Sequence, residues 1–256
     1  MTYLEVATEA AKKGGEVVGR YFETTLLRHV KDDNTFVTIA DRESETAIIS
    51  EIKKHFPDHS FLGEEGGETK TDSSYQWVID PLDGTTNFIN GLPLFCVSVA
   101  LLHKGDVIVS VIYQPLLKLL FHAERGKGMF CNGKRANVSE QDAKSGMVTF
   151  GIGKGSAIKE RVANMFREAP KHIMKYRYLG SAALELAYLA RGGTEGVVNL
   201  GSEKWDYAAG TLLVEEAGGK ITDFNGRPWT FEERFFVASN GVVHDNLLRL
   251  VATTSL

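Results

Sequence analysis

The hydrophobic pattern of the chain begins with helical spacing. Small and apolar residues recur three and four positions apart over residues 4–21, which predicts an amphipathic helix. A second helix is predicted over residues 42–55, and Pro57 follows it and ends it. The polar residues 31–34 between them are predicted to form a loop.

From Ser60 onwards the spacing changes to short apolar runs that are typical of strands. A polar, Gly-rich loop over residues 63–74 joins the first two strands, and short turns join the later ones, so we expect an antiparallel meander. The predicted strands are residues 60–62, 76–79, 95–102, 107–113, 119–124 and 128–131.

After about residue 142 strands and helices alternate, which is the pattern of an α/β fold. The predicted strands are 147–150, 173–178, 196–200, 220–223 and 235–238, and the predicted helices are 158–168, 181–190, 206–217 and 242–251. We therefore divide the chain into an N-terminal α+β half, 1–140, and a C-terminal α/β half, 141–256. No Ser/Pro-rich linker separates them, so the halves are expected to pack tightly as one unit.

Composition and charge narrow the classes of function. With 256 residues, 43% of them hydrophobic and 24% charged, the chain has the composition of a globular enzyme and not of a disordered or fibrous protein. The 29 basic and 33 acidic residues give a net charge of −4, which argues against a nucleic-acid-binding surface.

The same sequence shows no sign of export or of a membrane span. No secretory signal is visible at the start, and the nearly apolar residues 92–102 fall short of the roughly 20 that a membrane helix needs. Cys96 and Cys131 are predicted to be reduced thiols in the core. We expect a cytoplasmic protein with no membrane partner.

The strongest candidate for chemistry lies in residues 77–88, where an apolar strand ends at Asp80. Pro81 turns the chain and Asp83 follows, so two carboxylates converge. Close carboxylates repel each other unless a proton or a cation intervenes, and oxygen ligands of this kind suit Mg²⁺. The carbonyl of Leu82 lies between them as a further possible ligand. An isolated motif of this kind is more often a simple turn, but the extended string favours a metal site.

Two neighbouring segments add to this site. Gly84 and Thr85 come where a helix can begin, and backbone N–H groups at such a point bind anions such as phosphate. Glu64 and Glu65 follow the preceding strand, and since adjacent strand residues face opposite ways, we select Glu64 as the one that reaches the metal site. A solvated acidic loop is the alternative.

Asp206 and Asp41 each stand at the start of a predicted helix. The default interpretation is an N-cap or first-turn acid for Asp206 and an N-cap for Asp41. The small residues at 208–210 allow a close backbone approach. Asp206 is therefore also a candidate to meet the loop that carries Asp80 and Asp83.

At these residues the chain resembles the inositol monophosphatase family, one of the lithium-sensitive, metal-dependent phosphomonoesterases that also include fructose-1,6-bisphosphatases. Five motifs occur in the family's order over nearly the whole length. They are Val37-Thr38-Ile39-Ala40-Asp41, Gly63-Glu64-Glu65, Asp80-Pro81-Leu82-Asp83-Gly84-Thr85, Gly180-Ser181-Ala182-Ala183, and Trp205-Asp206-Tyr207-Ala208-Ala209-Gly210 with Glu216-Ala217-Gly218-Gly219.

The resemblance implies a five-layered αβαβα sandwich that forms a homodimer and uses two or three Mg²⁺ ions per active site. Mn²⁺ is an alternative metal, and Li⁺ and Ca²⁺ are expected inhibitors. By matching motifs, the metal ligands are Glu64, Asp80, the Leu82 carbonyl, Asp83 and Asp206. The catalytic residues are Glu64 and Thr85, which orient the attacking water, and Asp41, which is hydrogen-bonded to Thr85. The substrate and phosphate ligands are Asp83, Gly84, Thr85, Ser181, Asn199 and Asp206.

The substrate signals conflict at two positions. Inositol-preferring members usually carry an acidic residue seven positions before the residue that matches Asp206, and this chain has Asn199 there. Histidinol-phosphate phosphatases can have Asn at that position, but they place an acidic residue after the Gly that matches Gly180, where this chain has Ser181 as inositol-type members do.

The expected function is therefore Mg²⁺-dependent hydrolysis of a small phosphate monoester by metal-activated water, with inositol 1-phosphate as the first candidate substrate. The alternatives are histidinol phosphate, fructose 1,6-bisphosphate and 3′-phosphoadenosine 5′-phosphate. A different class is a non-catalytic regulatory binding protein. Because every matched acidic ligand and Thr85 are present, catalysis is the favoured interpretation.

Overall fold

The computed structural model describes residues 1–24, 29–30, 36–153 and 156–254; the predicted loop at 31–34 lies outside them. The helices are α1 Tyr3–Tyr21, α2 Ile39–Lys53, α3 Thr85–Ile89, α4 Ser156–Glu168, α5 Ala182–Ala190, α6 Lys204–Glu216 and α7 His244–Ala252, with a 3₁₀ turn at Ala169–Lys171. The strands are β1 His29–Val30, β2 Phe36–Val37, β3 Ser60–Gly63, β4 Gly67–Thr69, β5 Tyr75–Asp83, β6 Cys96–His103, β7 Asp106–Gln114, β8 Leu119–Glu124, β9 Gly128–Cys131, β10 Lys134–Ala136, β11 Met147–Ile152, β12 Lys175–Arg177, β13 Gly196–Leu200, β14 Lys220–Thr222 and β15 Phe235–Ser239.

Two large sheets organise the described chain. The first is eight-stranded in the order β10-β9-β8-β7-β6-β5-β3-β4, and its pairs are antiparallel apart from β3 with β5. The second is five-stranded in the order β12-β11-β13-β15-β14 and is mixed. The predicted meander is confirmed, since β5 to β10 follow one another in space as they do in the sequence.

Hydrophobic cores lie between successive layers. Helices α1 and α2 pack on the outer face of the first sheet, α5 and α6 lie between the sheets, and α4 and α7 cover the outer face of the second sheet. The middle core takes side chains from both sheets, for example Phe121 and Phe236. This order of layers is the expected αβαβα sandwich.

Some boundaries differ from the sequence predictions. Helix α2 begins at Ile39 and not at residue 42, because Thr38 is the N-cap: its hydroxyl accepts from the Ala40 N–H at 3.1 Å. The loop over residues 63–74 contains β4, and the short strand β10 was not predicted. The strand expected at 173–178 shrinks to Lys175–Arg177.

The first sheet ends with β10 and the second begins with β11. The division of the chain near residue 140 stays a prediction.

Cys96 is buried, Cys131 is half-buried, and neither forms a disulfide. Among the described helices, none is both long enough and apolar enough to cross a membrane.

His244 provides a pH-dependent term in stability. Its buried ring lies between the Thr222 hydroxyl, 2.9 Å from Nε2, and the Ser239 hydroxyl, 2.8 Å from Nδ1. The Thr222 hydroxyl donates to the Asp223 carbonyl, so Nε2–H donates to Thr222 and Nδ1 accepts from Ser239. The ring is therefore neutral, and burial lowers the pKa of His244 to about 4.

We expect His244 to destabilise the fold in acid. Because the unfolded chain binds a proton near pH 6.5 and the folded chain only near pH 4, the free energy of unfolding should fall over that window, by roughly 3 kcal/mol at most. Urea unfolding of the wild type and of His244→Gln between pH 4 and 7 measures it. The difference between the two should change with pH, and a difference that stays constant would show that His244 does not provide this term.

Candidate functional site

A bulge at the end of β5 brings two aspartates together. In the pairing with β6, Asp80 lies opposite Ser98 and Asp83 lies opposite Cys96, so β5 contains one extra residue. In a regular strand residues three apart face opposite sides, and the extra residue turns Asp83 towards the side of Asp80. The Asp80–Asp83 convergence expected from the sequence is present, and its cause is this irregularity.

Neighbouring elements hold both carboxylates. Asp80 Oδ1 accepts from the Leu82 N–H at 3.0 Å. Asp83 Oδ2 accepts from the Ser181 hydroxyl at 2.6 Å and from the Ala183 N–H at 2.7 Å, at the start of α5. The N-terminus of a helix favours a carboxylate there. Ser181 is the N-cap of α5, and its described contacts are with the helix, Cys96 and Asp83.

Asp206 comes from the first turn of α6. It is the third residue of the helix, and its Oδ2 accepts from the Glu203 N–H at 2.7 Å, which orients the side chain. One carboxylate oxygen from each of Asp80, Asp83 and Asp206 lies within 4.8 Å of the others. The small residues that follow let α6 pack closely against α5: a Cβ at Gly210 would come 2.5 Å from Leu186.

The carboxylate cluster is electrostatically unfavourable without a cation. Burial raises the pKa of Asp80 well above its usual value, and the charges of Glu64, Asp83 and Asp206 add to this. Burial also raises the pKa of Asp83 to about 6, although its hydrogen bonds oppose the shift. A hard divalent cation bound by carboxylate oxygens removes this repulsion, so the donor set fits Mg²⁺.

Glu64 reaches the same cleft through a loop that α2 supports. Glu45 of α2 accepts from the backbone N–H groups of Glu65 at 3.0 Å and Gly66 at 2.6 Å. A Cβ at Gly63 would come 2.4 Å from the Glu45 carboxylate, so a larger residue there would displace that carboxylate from the loop. Glu45 was not among the candidates predicted from the sequence. Its position in the same buried helical stripe as Ile48 and Ile52 was the signal in the sequence that could have identified it.

Asp41 lies beneath Thr85. The Thr85 hydroxyl is 3.1 Å from Asp41 Oδ1 and 3.0 Å from the Leu82 carbonyl. Asp41 Oδ2 accepts from the N–H and the hydroxyl of Thr38, both at 2.7 Å. Burial is the main reason that the pKa of Asp41 rises to about 6. Asp41 is thus the third residue of α2 and not its N-cap, as the default interpretation had it.

Gly84 and Asn87 shape the start of the short helix α3. Gly84 has φ +94°, and a Cβ on it would come 2.7 Å from the Leu94 carbonyl oxygen. Asn87 donates from Nδ2 to the carbonyls of Leu94 at 2.8 Å and Leu179 at 2.7 Å. Asn87 therefore ties α3 to the segment before α5. It is a second residue that sequence reasoning missed.

The resulting cleft has a volume of about 290 Å³. Both sheets contribute to its walls. The described lining residues are Glu64, Asp80, Leu82, Asp83, Gly84, Thr85, Thr86, Ile152, Gly153, Tyr178, Gly180, Glu203, Trp205 and Asp206. Ile152, Gly153, Tyr178 and Glu203 were not among the sequence candidates, because no motif marks them: Ile152 ends β11, and the other three lie outside the strands and helices.

Asn199 lies behind the cleft and does not line it. Its side chain is fully buried, and Nδ2 donates to the Arg234 carbonyl at 2.8 Å. A Cβ at Gly151 would come 2.5 Å from Asn199 Oδ1 and 3.5 Å from the carboxylate of Glu185, so these oxygens share one side of β11. Asn199 was predicted from the sequence to contact the substrate, and its burial behind the cleft contradicts that prediction. Counting along the chain located the residue on β13 but not the direction of its side chain.

Comparisons with known proteins agree with this architecture. The sequence model of the inositol monophosphatase family matches residues 1–255. The Nus factor SuhB of Pasteurella multocida is 42% identical over 228 residues, 87% of this chain and 85% of that protein. The inositol-1-monophosphatase of Mesorhizobium japonicum is 38% identical over 257 residues, 97% of this chain and 95% of that protein.

Solved structures show the same likeness. The IMPase of Thermotoga maritima superposes with a TM-score of 0.92 at 34% identity, covering 99% of this chain and 98% of that one. The extragenic suppressor protein SuhB of Bartonella henselae superposes with a TM-score of 0.91 at 36% identity, covering 96% and 97%.

Proposed function

Since the chain belongs to the inositol monophosphatase family, we propose that it is a Mg²⁺-dependent phosphatase of small phosphate monoesters, with inositol 1-phosphate as the first candidate substrate. The observation that carries this proposal is the convergence of Asp80, Asp83 and Asp206 within 4.8 Å. They converge in a cleft that Gly84 and Thr85 also line. A protein that only binds a partner has no physical need for so many convergent acids.

The ligand set divides into two groups around Asp80. Glu64, Asp80 and the Leu82 carbonyl would hold one Mg²⁺, and Asp80, Asp83 and Asp206 would hold a second. Bound Mg²⁺ would lower the pKa of a water molecule and neutralise charge on the phosphate. The bulge in β5 supports this assignment because it lets Asp80 and Asp83 face the same cleft.

The protein's own groups position the reactants. Gly84 and Thr85 would bind phosphate oxygens through their backbone N–H groups. When the Thr85 hydroxyl donates its proton to Asp41 Oδ1, its oxygen keeps lone pairs that can accept a hydrogen bond from the attacking water. Glu64 lines the same cleft and would orient that water from the other side.

A phosphate-release assay tests the proposed function. The panel contains inositol 1-phosphate, histidinol phosphate, fructose 1,6-bisphosphate and 3′-phosphoadenosine 5′-phosphate, each with Mg²⁺ and with EDTA. We expect release of phosphate that requires Mg²⁺. Absence of release from every monoester at millimolar Mg²⁺ would refute the phosphatase assignment.

Thr85→Ala should lower kcat by roughly tenfold to a thousandfold and change KM little, because the hydroxyl positions water and does not hold the substrate. Steady-state kinetics with the best substrate of the panel measure both constants. Thr85→Ser is the matched control, since it keeps the hydroxyl and should recover most of kcat. A change confined to KM would contradict the role of Thr85.

A non-catalytic binding role is the second candidate. It is favoured by the name Nus factor, which relatives from Pasteurella multocida and Escherichia coli carry at 42% identity. Such a role does not exclude catalysis, and the absence of a nucleic-acid partner stays a prediction. Replacing the chromosomal gene with an allele that encodes Asp80→Asn separates catalysis from binding. A cellular function that is retained when hydrolysis is lost is due to binding.

A homodimer is the proposed assembly. Leu92 and Leu117 are 49% and 57% exposed, and a hydrogen bond from Gln114 Nε2 to the Pro93 carbonyl joins their two segments. Exposed apolar side chains on adjoining loops are typical of an interface. Sedimentation equilibrium measures the molecular mass directly.

A further inference from the structure

Glu203 lies on the wall of the cleft that the second sheet and its connecting segments form. It lines the cleft together with Gly153, Tyr178 and Trp205. Gly84 and Thr85, the proposed phosphate ligands, come from the first sheet's side of the same cleft. The part of a substrate beyond its phosphate therefore extends towards the wall that contains Glu203.

Two independent contacts fix Glu203. Its backbone N–H donates to Asp206 at 2.7 Å, so the residue has a set distance from the carboxylate cluster. Its side chain accepts from Arg234 through Oε1 at 2.6 Å. Arg234 also donates to the carbonyls of Gly201 at 2.6 Å and Ser202 at 3.0 Å, so one guanidinium holds the whole turn before α6.

The opposite edge of this turn is closely packed. A Cβ at Gly153 would come 2.0 Å from the Gly201 carbonyl oxygen, and the Gly153 N–H donates to the Leu200 carbonyl at 3.0 Å. The backbone on both sides of Glu203 is therefore held by contacts that do not involve its carboxylate. The carboxylate itself accepts from the Asp206 backbone N–H in a capping box. Glutamine keeps an acceptor oxygen for that contact, so Glu203→Gln can remove the wall's charge while these contacts are retained.

The charge of this wall selects among ligands. Among the cleft-lining residues that the structure describes, those with charged side chains are all acidic: Glu64, Asp80, Asp83, Glu203 and Asp206. Glu203 is not one of the carboxylates that would bind a metal ion at the Asp80 cluster. A carboxylate accepts hydrogen bonds and donates none, so it suits hydroxyl and ammonium groups and repels a phosphate.

Given the proposed phosphatase function, we propose that Glu203 is the specificity-determining residue of the cleft. Its carboxylate accepts hydrogen bonds from hydroxyl or ammonium groups of the leaving group and repels a second phosphate. The substrate class is accordingly a monophosphate of a polyol or an amino alcohol. Bisphosphates such as fructose 1,6-bisphosphate and 3′-phosphoadenosine 5′-phosphate are disfavoured.

The test compares kcat/KM for inositol 1-phosphate with that for fructose 1,6-bisphosphate. The wild type should favour the monophosphate, and Glu203→Gln should reduce the ratio by roughly tenfold, the effect of removing one charged interaction. Glu232→Gln is the matched control. Glu232 pairs with Lys204 at 2.6 Å but does not line the cleft, so its loss should leave the ratio unchanged.

Ki values for fructose 1,6-bisphosphate as a competitor of inositol 1-phosphate hydrolysis report binding directly. The Ki should fall in Glu203→Gln and stay unchanged in Glu232→Gln. Thermal unfolding confirms that each variant is folded.

The outcomes separate this inference from the function it rests on. If the wild type hydrolyses neither compound, nor any other monoester, the phosphatase function fails and this inference fails with it. If the wild type is active but prefers the bisphosphate, or if Glu203→Gln leaves both the ratio and the Ki within twofold of wild type, the role of Glu203 alone is refuted.

Discussion

Asp80→Asn is expected to abolish phosphate release, with a loss of at least about 10³-fold, which is the upper end of the effect of removing one electrostatic stabiliser of a transition state. Asp80 is the residue shared by both proposed ligand groups. Its carboxylate is 1% exposed and close to those of Asp83 and Asp206. No other described carboxylate lies at the position of Asp80 in the bulge of β5. A higher Mg²⁺ concentration should therefore not restore phosphate release.

The same substitution should stabilise the metal-free protein. Burial and the neighbouring charges raise the pKa of Asp80, so its ionised form opposes folding at neutral pH. Removing that charge should raise Tm by a few degrees, since each kcal/mol is worth roughly 2–4 °C in a protein of this size. Mg²⁺ should raise Tm of the wild type and have little effect on Asp80→Asn.

Phosphate release and thermal unfolding with and without Mg²⁺ measure both effects. Asp72→Asn, at an exposed position outside the cleft, is the matched control and should behave like the wild type. Turnover like that of the wild type in Asp80→Asn at saturating Mg²⁺ would show that the shared-ligand assignment is wrong.

Gly84→Ala should destabilise the fold by roughly 2–5 kcal/mol and remove most activity. An alanine at φ +94° costs about 1–2 kcal/mol by itself. Its Cβ would also lie 2.7 Å from the Leu94 carbonyl and 3.2 Å from Phe95 Cα. These contacts are with backbone, so they are relieved only if the chain moves, and such overpacking typically costs about 1–3 kcal/mol more. Thr85 is the next residue and would move with it.

Gly91→Ala separates the two costs. Gly91 has φ +71°, and a Cβ added to it would meet no atom of the described residues within 4 Å, so alanine there carries the conformational cost alone. Urea unfolding and kcat/KM of both variants provide the comparison. If Gly84→Ala is no more destabilised than Gly91→Ala, the close approach of Leu94 is not a constraint on the site.

Local patterns were sufficient for most of the fold. The helical repeat of α1, the alternating strands of the first sheet and the α/β order of the second half each depend on near neighbours in the chain, and each is present. The elements that were missed or altered are short. Strands β4 and β10 have three residues each, and they exist because a neighbouring strand supplies their hydrogen-bond partners.

The candidate site likewise contains residues that the sequence identified and residues that it did not. Motifs identified Glu64, Asp80, Asp83, Gly84, Thr85 and Asp206, and the structure brings all six to one cleft. The residues that support or complete that cleft without a motif, such as Glu45, Asn87 and Glu203, were not found. Each acts through a partner that is distant in sequence, as Asn87 does through Leu179.

The order of amino acids established which residue types are available for the chemistry and on which kinds of element they lie. It also carried the succession of motifs that marks the family, because those residues are read directly from the chain. The direction in which each side chain points was settled by packing in three dimensions. A one-residue bulge turns Asp83 towards Asp80, packing against β11 turns Asn199 away from the cleft, and Arg234 fixes Glu203 on its wall. These directions depend on contacts between segments far apart in the chain, and local spacing contains no information about them.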